Sequence, residues 1–192
     1  MAGEEWSFNY PDIIFFSMQK NISKFLVLIA ILVSGCALDL KTKELAKEAL
    51  KEHSISVINN YFDLRYVENH AIVFGLLNDL PKNVRIPLIF IVTISATLFG
   101  FYLIWRIRER EFRFLLPFFI IIGGACGNIL DRWFNGYVTD FFHFHYFTQY
   151  NFYVFNVADV LVNIGMFLII IQWRSFESLF NEVFAGKKEL KN

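Results

Sequence analysis

Ile86-Pro87-Leu88-Ile89-Phe90-Ile91-Val92-Thr93-Ile94-Ser95-Ala96-Thr97-Leu98-Phe99-Gly100-Phe101-Tyr102-Leu103-Ile104-Trp105 is a continuous apolar run with only Thr and Ser as polar interruptions. A helix of about 20 such residues is what the hydrocarbon core of a bilayer requires. Three more apolar runs accompany it. Phe114 to Leu130 is shorter but unbroken, and Val154 to Trp173 has the right length yet carries Asn156, Asp159 and Asn163. Phe25 to Leu38 is short, and spans only if Lys20 and Lys24 snorkel at one end while Asp39 sits at the opposite boundary. The expected class is therefore an α-helical membrane protein with four transmembrane helices. It forms one integral-membrane domain over residues 1–192, with spans at about 25–38, 86–105, 114–130 and 154–173.

Composition agrees with that reading. The chain is 56% apolar and 19% aromatic with zero formal net charge, against about 45–50% apolar for soluble domains. Without a basic surplus there is no electrostatic case for nucleic-acid binding. Cys36 and Cys126 both lie in apolar runs, where thiols behave as small hydrophobes rather than as a disulfide.

Lys and Arg in short loops set orientation. Lys20 and Lys24 precede the first span. Arg106, Arg108, Arg110 and Arg113 crowd the link between the second and third. Arg174, Lys187, Lys188 and Lys191 follow the fourth. With four spans these groups share one side, so both termini are expected in the cytoplasm and residues 39–85 and 131–153 outside it. The loop from Asp39 to Arg85 obeys the rule less well, because it holds seven Lys or Arg. Lys41 to Lys51, with Glu44, Glu48 and Glu52 interleaved, reads as an amphipathic helix on the outer surface. Ile55 to Phe74, broken at Asn59-Asn60, reads as two or three short strands. The tail from Phe176 has a weak amphipathic pattern and is expected to fade into a solvated end. Residues 1–19, with Trp6, Phe8 and Tyr10, suit the interface and point to no function.

Ionisable groups in or beside a span are costly and mark functional sites. Asp39, Asp131, Asp140 and Asp159 all fall on the outer side in this topology. Asp159 lies one turn from Asn156 and Asn163, which places the three on one helical face. Asp140 belongs to the alternating stretch Val138 to His145, which reads as a strand or edge loop at the membrane surface. A short return from there to the fourth span would set Asp140 beside Asp159. Two adjacent carboxylates cannot both ionise easily, so one keeps a proton near neutral pH. Such a pair can activate water with one member and protonate a leaving amine with the other. Packing or ion-pair roles for single aspartates stand as the alternative on spacing alone.

Four motifs then carry a resemblance. Gly123-Gly124-Ala125-Cys126-Gly127-Asn128-Ile129-Leu130-Asp131-Arg132 resembles the GGAxGNxxDR motif of lipoprotein signal peptidases. Val138-Thr139-Asp140-Phe141 is similar to the VxDF motif of that family, Phe155-Asn156-Val157-Ala158-Asp159 to its FNxAD motif, and Leu38-Asp39-Leu40-Lys41-Thr42-Lys43 to its LDQxTK element. Their order and spacing match over residues 25 to 173. The resemblance implies a four-span bundle with a small extracytoplasmic β-cradle and an amphipathic surface helix, in the bacterial inner membrane. It implies an aspartic endopeptidase that removes the signal peptide of prolipoproteins by cutting before the diacylglyceryl-modified cysteine. It implies Asp140 and Asp159 as catalytic residues. Asn69, Asn128, Arg132 and Asn156 would line the polar pocket, with Asp39, Lys43 and Asp131 in support. The partners so implied are the prolipoprotein signal peptide, its lipidated cysteine and membrane lipid, with no cofactor. One stretch departs: the NxGAAFG element of the family is Asn69-His70-Ala71-Ile72-Val73-Phe74-Gly75 here, bulkier and less able to take positive φ. Lys41 also replaces the usual glutamine.

Three rival readings remain distinguishable. His143 and His145 lie near Asp140, but alternation turns both away from its neighbours and no HExxH is present, so they read as packing or interfacial residues and no metal is expected. A proton-relay transporter would need ionisable groups in several spans, and the second span has none. Leu32-Val33-Ser34-Gly35-Cys36 looks like a lipobox, which would make the chain a lipoprotein. Cleavage there would delete the first span, so the stretch reads better as small-residue helix packing.

Overall fold

The computed structural model describes residues 10–70, 81–147 and 149–184. Its elements run α1 (Tyr10–Leu50), β1 (Ile55–Ile58), β2 (Phe62–Asn69), α2 (Lys82–Ile107), α3 (Phe112–Asn135), β3 (Val138–Tyr146), β4 (Tyr150–Asn151), α4 (Val157–Ile171) and α5 (Trp173–Phe184). Among the described residues α1, α2 and α3 are each long and apolar enough to cross a membrane, and α4 with α5 makes a fourth candidate bent by 81°. The family-implied Ala71-Ile72-Val73 departure lies outside the described residues.

The first span differs from its expected form. Instead of a short Phe25–Leu38 span followed by a separate surface helix, α1 is one helix of 41 residues. At 1.5 Å per residue it is about 60 Å long, roughly twice the hydrocarbon thickness. Nothing in Ala37 to Thr42 breaks a helix, so the helix continues beyond the apolar run through the segment Lys41 to Leu50, whose Lys43, Ala46 and Leu50 are buried. Lys24 does not snorkel to lipid headgroups either; its ammonium donates to the carbonyls of Arg108 at 2.9 Å and Arg110 at 3.1 Å. Those carbonyls end α2 and open the link to α3, so the Lys24 charge sits where a helix C-terminus is electronegative.

The expected fading tail is likewise replaced by structure. Span four ends at Ile171, and the chain turns at Gln172 into α5, whose buried Phe176 and Leu179 join the core. Phe176 meets Phe114 edge-on at 5.3 Å and Phe118 at 6.0 Å. Arg110 pairs with Glu182 at 2.7 Å and Arg106 donates to the Val183 carbonyl at 2.6 Å. The basic α2–α3 link, Lys24 and α5 thus share one end of the bundle.

The main apolar core fills that half: Leu28 of α1, Leu103, Ile104 and Ile107 of α2, Leu115, Phe118 and Ile122 of α3, with Phe176. α3 is the central helix. Its glycines let neighbours approach to backbone contact: a Cβ on Gly124 would stand 2.6 Å from the Ala158 carbonyl oxygen of α4. In contrast Ile91, Leu98, Val33 and Ile170 remain more than half exposed. Large aliphatic side chains left outward on three helices are the surface a lipid solvent covers. Cys36 and Cys126 are free thiols. Cys36 is buried in mid-α1, and a Cβ on the adjacent Gly35 would touch Leu161 at 3.2 Å, as helix packing requires.

At the other end a four-stranded antiparallel sheet, ordered β1-β2-β3-β4, stands on the outward extension of α1. Asn60, at φ 66°, makes the tight turn between β1 and β2. β2 runs against β3 with Phe62 opposite Phe144, Asp63 opposite His143 and Asn69 opposite Val138. Ala46 and Leu50 pack under Phe141, with Leu64, Tyr66 and Val157 around them.

Candidate functional site

Backbone pairing assembles the site. After β4 the chain returns alongside β3, where Phe155 donates to Phe142 O at 3.0 Å and its own carbonyl accepts from Phe141 at 3.0 Å and Phe142 at 2.8 Å. Asn156 follows at once. The Phe155 bridge therefore lands the start of α4 against Asp140, two residues back from Phe142 on β3.

Asn156 is the N-cap of α4, in extended conformation, and is fully buried. Its side-chain oxygen accepts the Asp159 backbone N–H at 3.1 Å, and the Asp159 Oδ2 accepts the Asn156 backbone N–H at 3.1 Å. This reciprocal capping box holds Asp159 in the first helical turn, where the positive end of the helix favours a carboxylate. Asp159 lies within the fourth span as expected, in its first turn at the helix mouth. The shared face of Asn156, Asp159 and Asn163 is corrected. Asn156 lies outside the helix, and Asn163 is exposed, its amide donating to the Asp159 carbonyl at 2.8 Å.

Asp140 is only 2% exposed. Its Oδ1 accepts from the Asn156 amide at 2.6 Å and its Oδ2 from the Asn69 amide at 2.8 Å. Burial pushes the Asp140 carboxyl up to about 7; the Asn69 hydrogen bond opposes this rise and the charge of Asp159 adds to it. Asn128 of α3 donates to Asp159 Oδ1 at 3.1 Å and accepts on its own oxygen from Asn156 at 3.1 Å. Asn128 and Asn156 thus link the two carboxylates through one amide network.

Beneath this layer lies a buried ionic one. Lys43 Nζ meets Asn128 Oδ1 at 2.6 Å, Asp39 at 2.7 Å and Asp131 at 3.5 Å. Asp39 in turn accepts the backbone N–H of Ala158 at 2.7 Å. The close approach is possible because position 127 is Gly: any Cβ there would collide with the Asp39 carboxylate. Burying Lys43 also explains part of the charge excess in residues 39–85, since this lysine is an interior counter-ion. Arg132 is half-buried, within electrostatic reach of Asp140, Asp131 and Asp159, and its guanidinium makes no hydrogen bond or ion pair among the described residues.

All nine residues singled out in the sequence meet at this one end. Sequence reasoning missed the backbone groups of Thr139 and Ala158, which tie the carboxylates of Asp131 and Asp39 in place. No residue type encodes an amide, so they carried no signal. It also missed the Tyr66–Tyr137 pair at 2.8 Å, close to Lys47.

Comparison with known proteins adds to this geometry. A family model described as signal peptidase (SPase) II matches residues 29–174. The chain is 39% identical over 145 residues to a lipoprotein signal peptidase of Clostridium tetani, covering 74% of this chain and 89% of that one. It is 35% identical over 157 residues to that of Syntrophotalea carbinolica (80% and 95%), and 39% over 153 residues to that of Clostridioides difficile (79% and 96%). Two solved structures, each described as a bacterial membrane enzyme structure obtained by the in meso method, superpose with TM-score 0.63. One is 24% identical, covering 86% of this chain and 94% of that chain; the other is 27% identical, covering 77% and 92%.

Proposed function

The chain belongs to the signal peptidase II family, which removes signal peptides from prolipoproteins in the membrane, and we propose that it does so as an aspartic endopeptidase with Asp140 and Asp159 as the catalytic pair. The observation that carries this reading is the joint hold on the two carboxyls by Asn156. Its amide donates to Asp140 while its backbone N–H donates to Asp159.

With its carboxyl pushed up to about 7, Asp140 holds the shared proton in the resting pair, and Asp159 at the helix N-terminus is the base. Asp159 takes a proton from water as the water oxygen bonds to the scissile carbonyl carbon, and Asp140 gives its proton to the carbonyl oxygen. The tetrahedral diol then collapses. Asp159 passes its proton to the departing amine, the C–N bond breaks, and a diol hydroxyl returns a proton to Asp140. No covalent intermediate forms, and the pair ends as it began.

Asn69, Asn128 and Asn156 orient the carboxyls, Arg132 faces the polar part of the substrate, and Asp39, Lys43 and Asp131 hold the frame. The substrate is a diacylglyceryl-modified prolipoprotein cut before its lipidated cysteine, with acyl chains lying along the exposed aliphatic faces. The chain acts as one integral-membrane unit of the bacterial inner membrane. Lys24, the α2–α3 link and α5 lie cytoplasmic, together with both termini, and the site faces outward. Clustering of the basic residues at the bundle end opposite the site supports that orientation.

The test is reconstitution with a diacylglyceryl-modified prolipoprotein, following signal-peptide release by gel shift. Wild type should cleave, and Asp140→Asn and Asp159→Asn, shown to be folded, should not. Normal cleavage by either folded variant would overturn the pair.

A further inference from the structure

A second cluster lies on the same sheet. Asp63 of β2 stands directly across from His143 of β3, and His145 is two residues further along β3 on the same face. The cluster takes no part in the Asn69–Asp140–Asn156 contacts. The candidate ligand atoms of the three residues all lie within 4.8 Å of one another. The two imidazoles are stacked, with centroids 5.0 Å apart and planes 12° from parallel.

The hydrogen bonding of the cluster is incomplete in an informative way. His143 is 3% exposed, and neither of its ring nitrogens has a hydrogen-bond partner among the described residues. A buried imidazole with both nitrogens unbonded is costly, and such orphans call for an explanation. His145 Nδ1 lies 3.0 Å from the carbonyl oxygen of Phe147, so Nδ1 carries the hydrogen and donates it. Nε2 of the neutral ring is then a bare lone pair, 2.9 Å from the Asp63 carboxylate but without hydrogen-bond geometry to it. Two lone pairs at that distance repel unless a cation stands between them, either a proton on Nε2 or a metal ion.

We propose that Asp63, His143 and His145 bind a borderline transition-metal dication of the Zn²⁺ type, clipping β2 to β3. Two imidazoles and one carboxylate are a typical zinc donor set, with water completing a tetrahedron. The Nδ1–H bond from His145 to a backbone carbonyl is the outer contact that orients a ligating imidazole. Ligand atoms around a tetrahedral zinc stand about 3.4 Å apart at bond lengths near 2.1 Å. Small side-chain rotations bring the three groups to that spacing. A proton on His145 Nε2 would leave His143 without a partner, whereas a metal can take a lone pair from both rings. Arg65 is an exposed cation on the same sheet and weakens binding of the ion without blocking it. The ion is structural: β2 and β3 also carry Asn69 and Asp140, and the clip holds the register of the two strands.

The experiment uses the full-length chain in detergent, with any affinity tag removed, stripped with a chelator and titrated with Zn²⁺ and Co²⁺. Wild type should take up one equivalent, show the visible d–d bands of tetrahedral Co²⁺, and unfold at a higher temperature when zinc is bound. His143→Gln and His145→Gln should each weaken binding by at least about a hundredfold, and Asp63→Asn by about tenfold or more. His53→Gln and His70→Gln should bind as wild type does. Circular dichroism and a monodisperse elution profile in detergent verify that the variants are folded. Absence of one-to-one binding by folded wild type overturns the site, as does binding that survives His143→Gln together with His145→Gln.

Discussion

The Asp131 carboxylate accepts the backbone N–H of Thr139 at 2.6 Å, and the next residue in the chain is Asp140. Its other oxygen takes the Asn135 amide at 2.7 Å. Between them the chain leaves α3 through Gly136 at φ 79°, which donates back to the Arg132 carbonyl at 2.9 Å. Asp131 thus anchors the entry to β3 and sets where Asp140 starts. Asp131→Ala should cost about 2–3 kcal/mol of stability, because a buried charged acceptor and its donors are lost together. Turnover should fall by about tenfold to a hundredfold through kcat, since a small displacement of a reacting group is enough. Asp131→Asn keeps one acceptor oxygen and should lie between. Thermal unfolding and steady-state cleavage check both effects, and an unchanged kcat in Asp131→Ala would remove the anchoring role.

Burial pushes the Asp140 carboxyl up from 3.8 to about 7 in the fold. If it supplies the first proton, kcat/KM should fall as pH rises through about 7. Stability follows the same group with a defined sign. The folded state binds the Asp140 proton more tightly than the unfolded state, so its contribution is full below pH 3.8 and is lost as pH rises to about 7. Asp140→Asn removes this dependence. The stability of the variant minus that of wild type should therefore increase by about 2–3 kcal/mol between pH 5 and pH 8. Denaturation at several pH values reads it directly, and a flat difference would place the proton elsewhere.

Lys43 and Asp39 are one turn apart on α1, 2.7 Å from each other and 3% and 0% exposed. A buried ion pair adds little net stability, yet removing one partner strands a charge. Lys43→Met leaves Asp39 and Asp131 facing one another without a cation and should cost about 3–5 kcal/mol. Adding Asp39→Asn, which keeps an oxygen for the Ala158 N–H, should recover part of that loss. A double-mutant cycle on unfolding would show the coupling; additive losses would mean the pair is independent.

The legibility of this fold varied with the kind of signal. Apolar length disclosed the spans, and the alternation from Val138 to His145 disclosed β3, because periodicity follows directly from which side chains face lipid, protein or water. Helix continuity was less visible. At Asp39 the hydropathy changes sign, but helix propensity does not, so α1 runs on to Leu50. α5 was under-read: Trp173, Phe176, Leu179, Phe180, Val183 and Phe184 form a clear apolar stripe, whose partners Phe114 and Phe118 lie two helices away in sequence. The site residues were legible as chemical types in the four motifs. Their linkage was not, since Asn156 joins two carboxylates through a cap and a side-chain amide that depend on the Phe155 bridge. Asp63 carried no sequence signal at all: only strand register sets it across from His143.

Arg132 offers a way to separate binding from framework. It sits half-buried at the C-terminal end of α3, near three carboxylates, and its guanidinium makes no hydrogen bond or ion pair with any described residue. A guanidinium without a fixed partner has donors available to a substrate carbonyl or a lipid headgroup oxygen. Arg132→Glu should therefore raise KM and lower kcat/KM by at least about tenfold while leaving the fold intact. Arg132→Lys should lose less, since the charge stays and only the planar fork is removed. Cleavage kinetics against substrate concentration, with unfolding temperature alongside, distinguish the cases. Unchanged kinetics in Arg132→Glu would exclude a substrate role, and an equal loss of stability would make Arg132 part of the frame with Lys43.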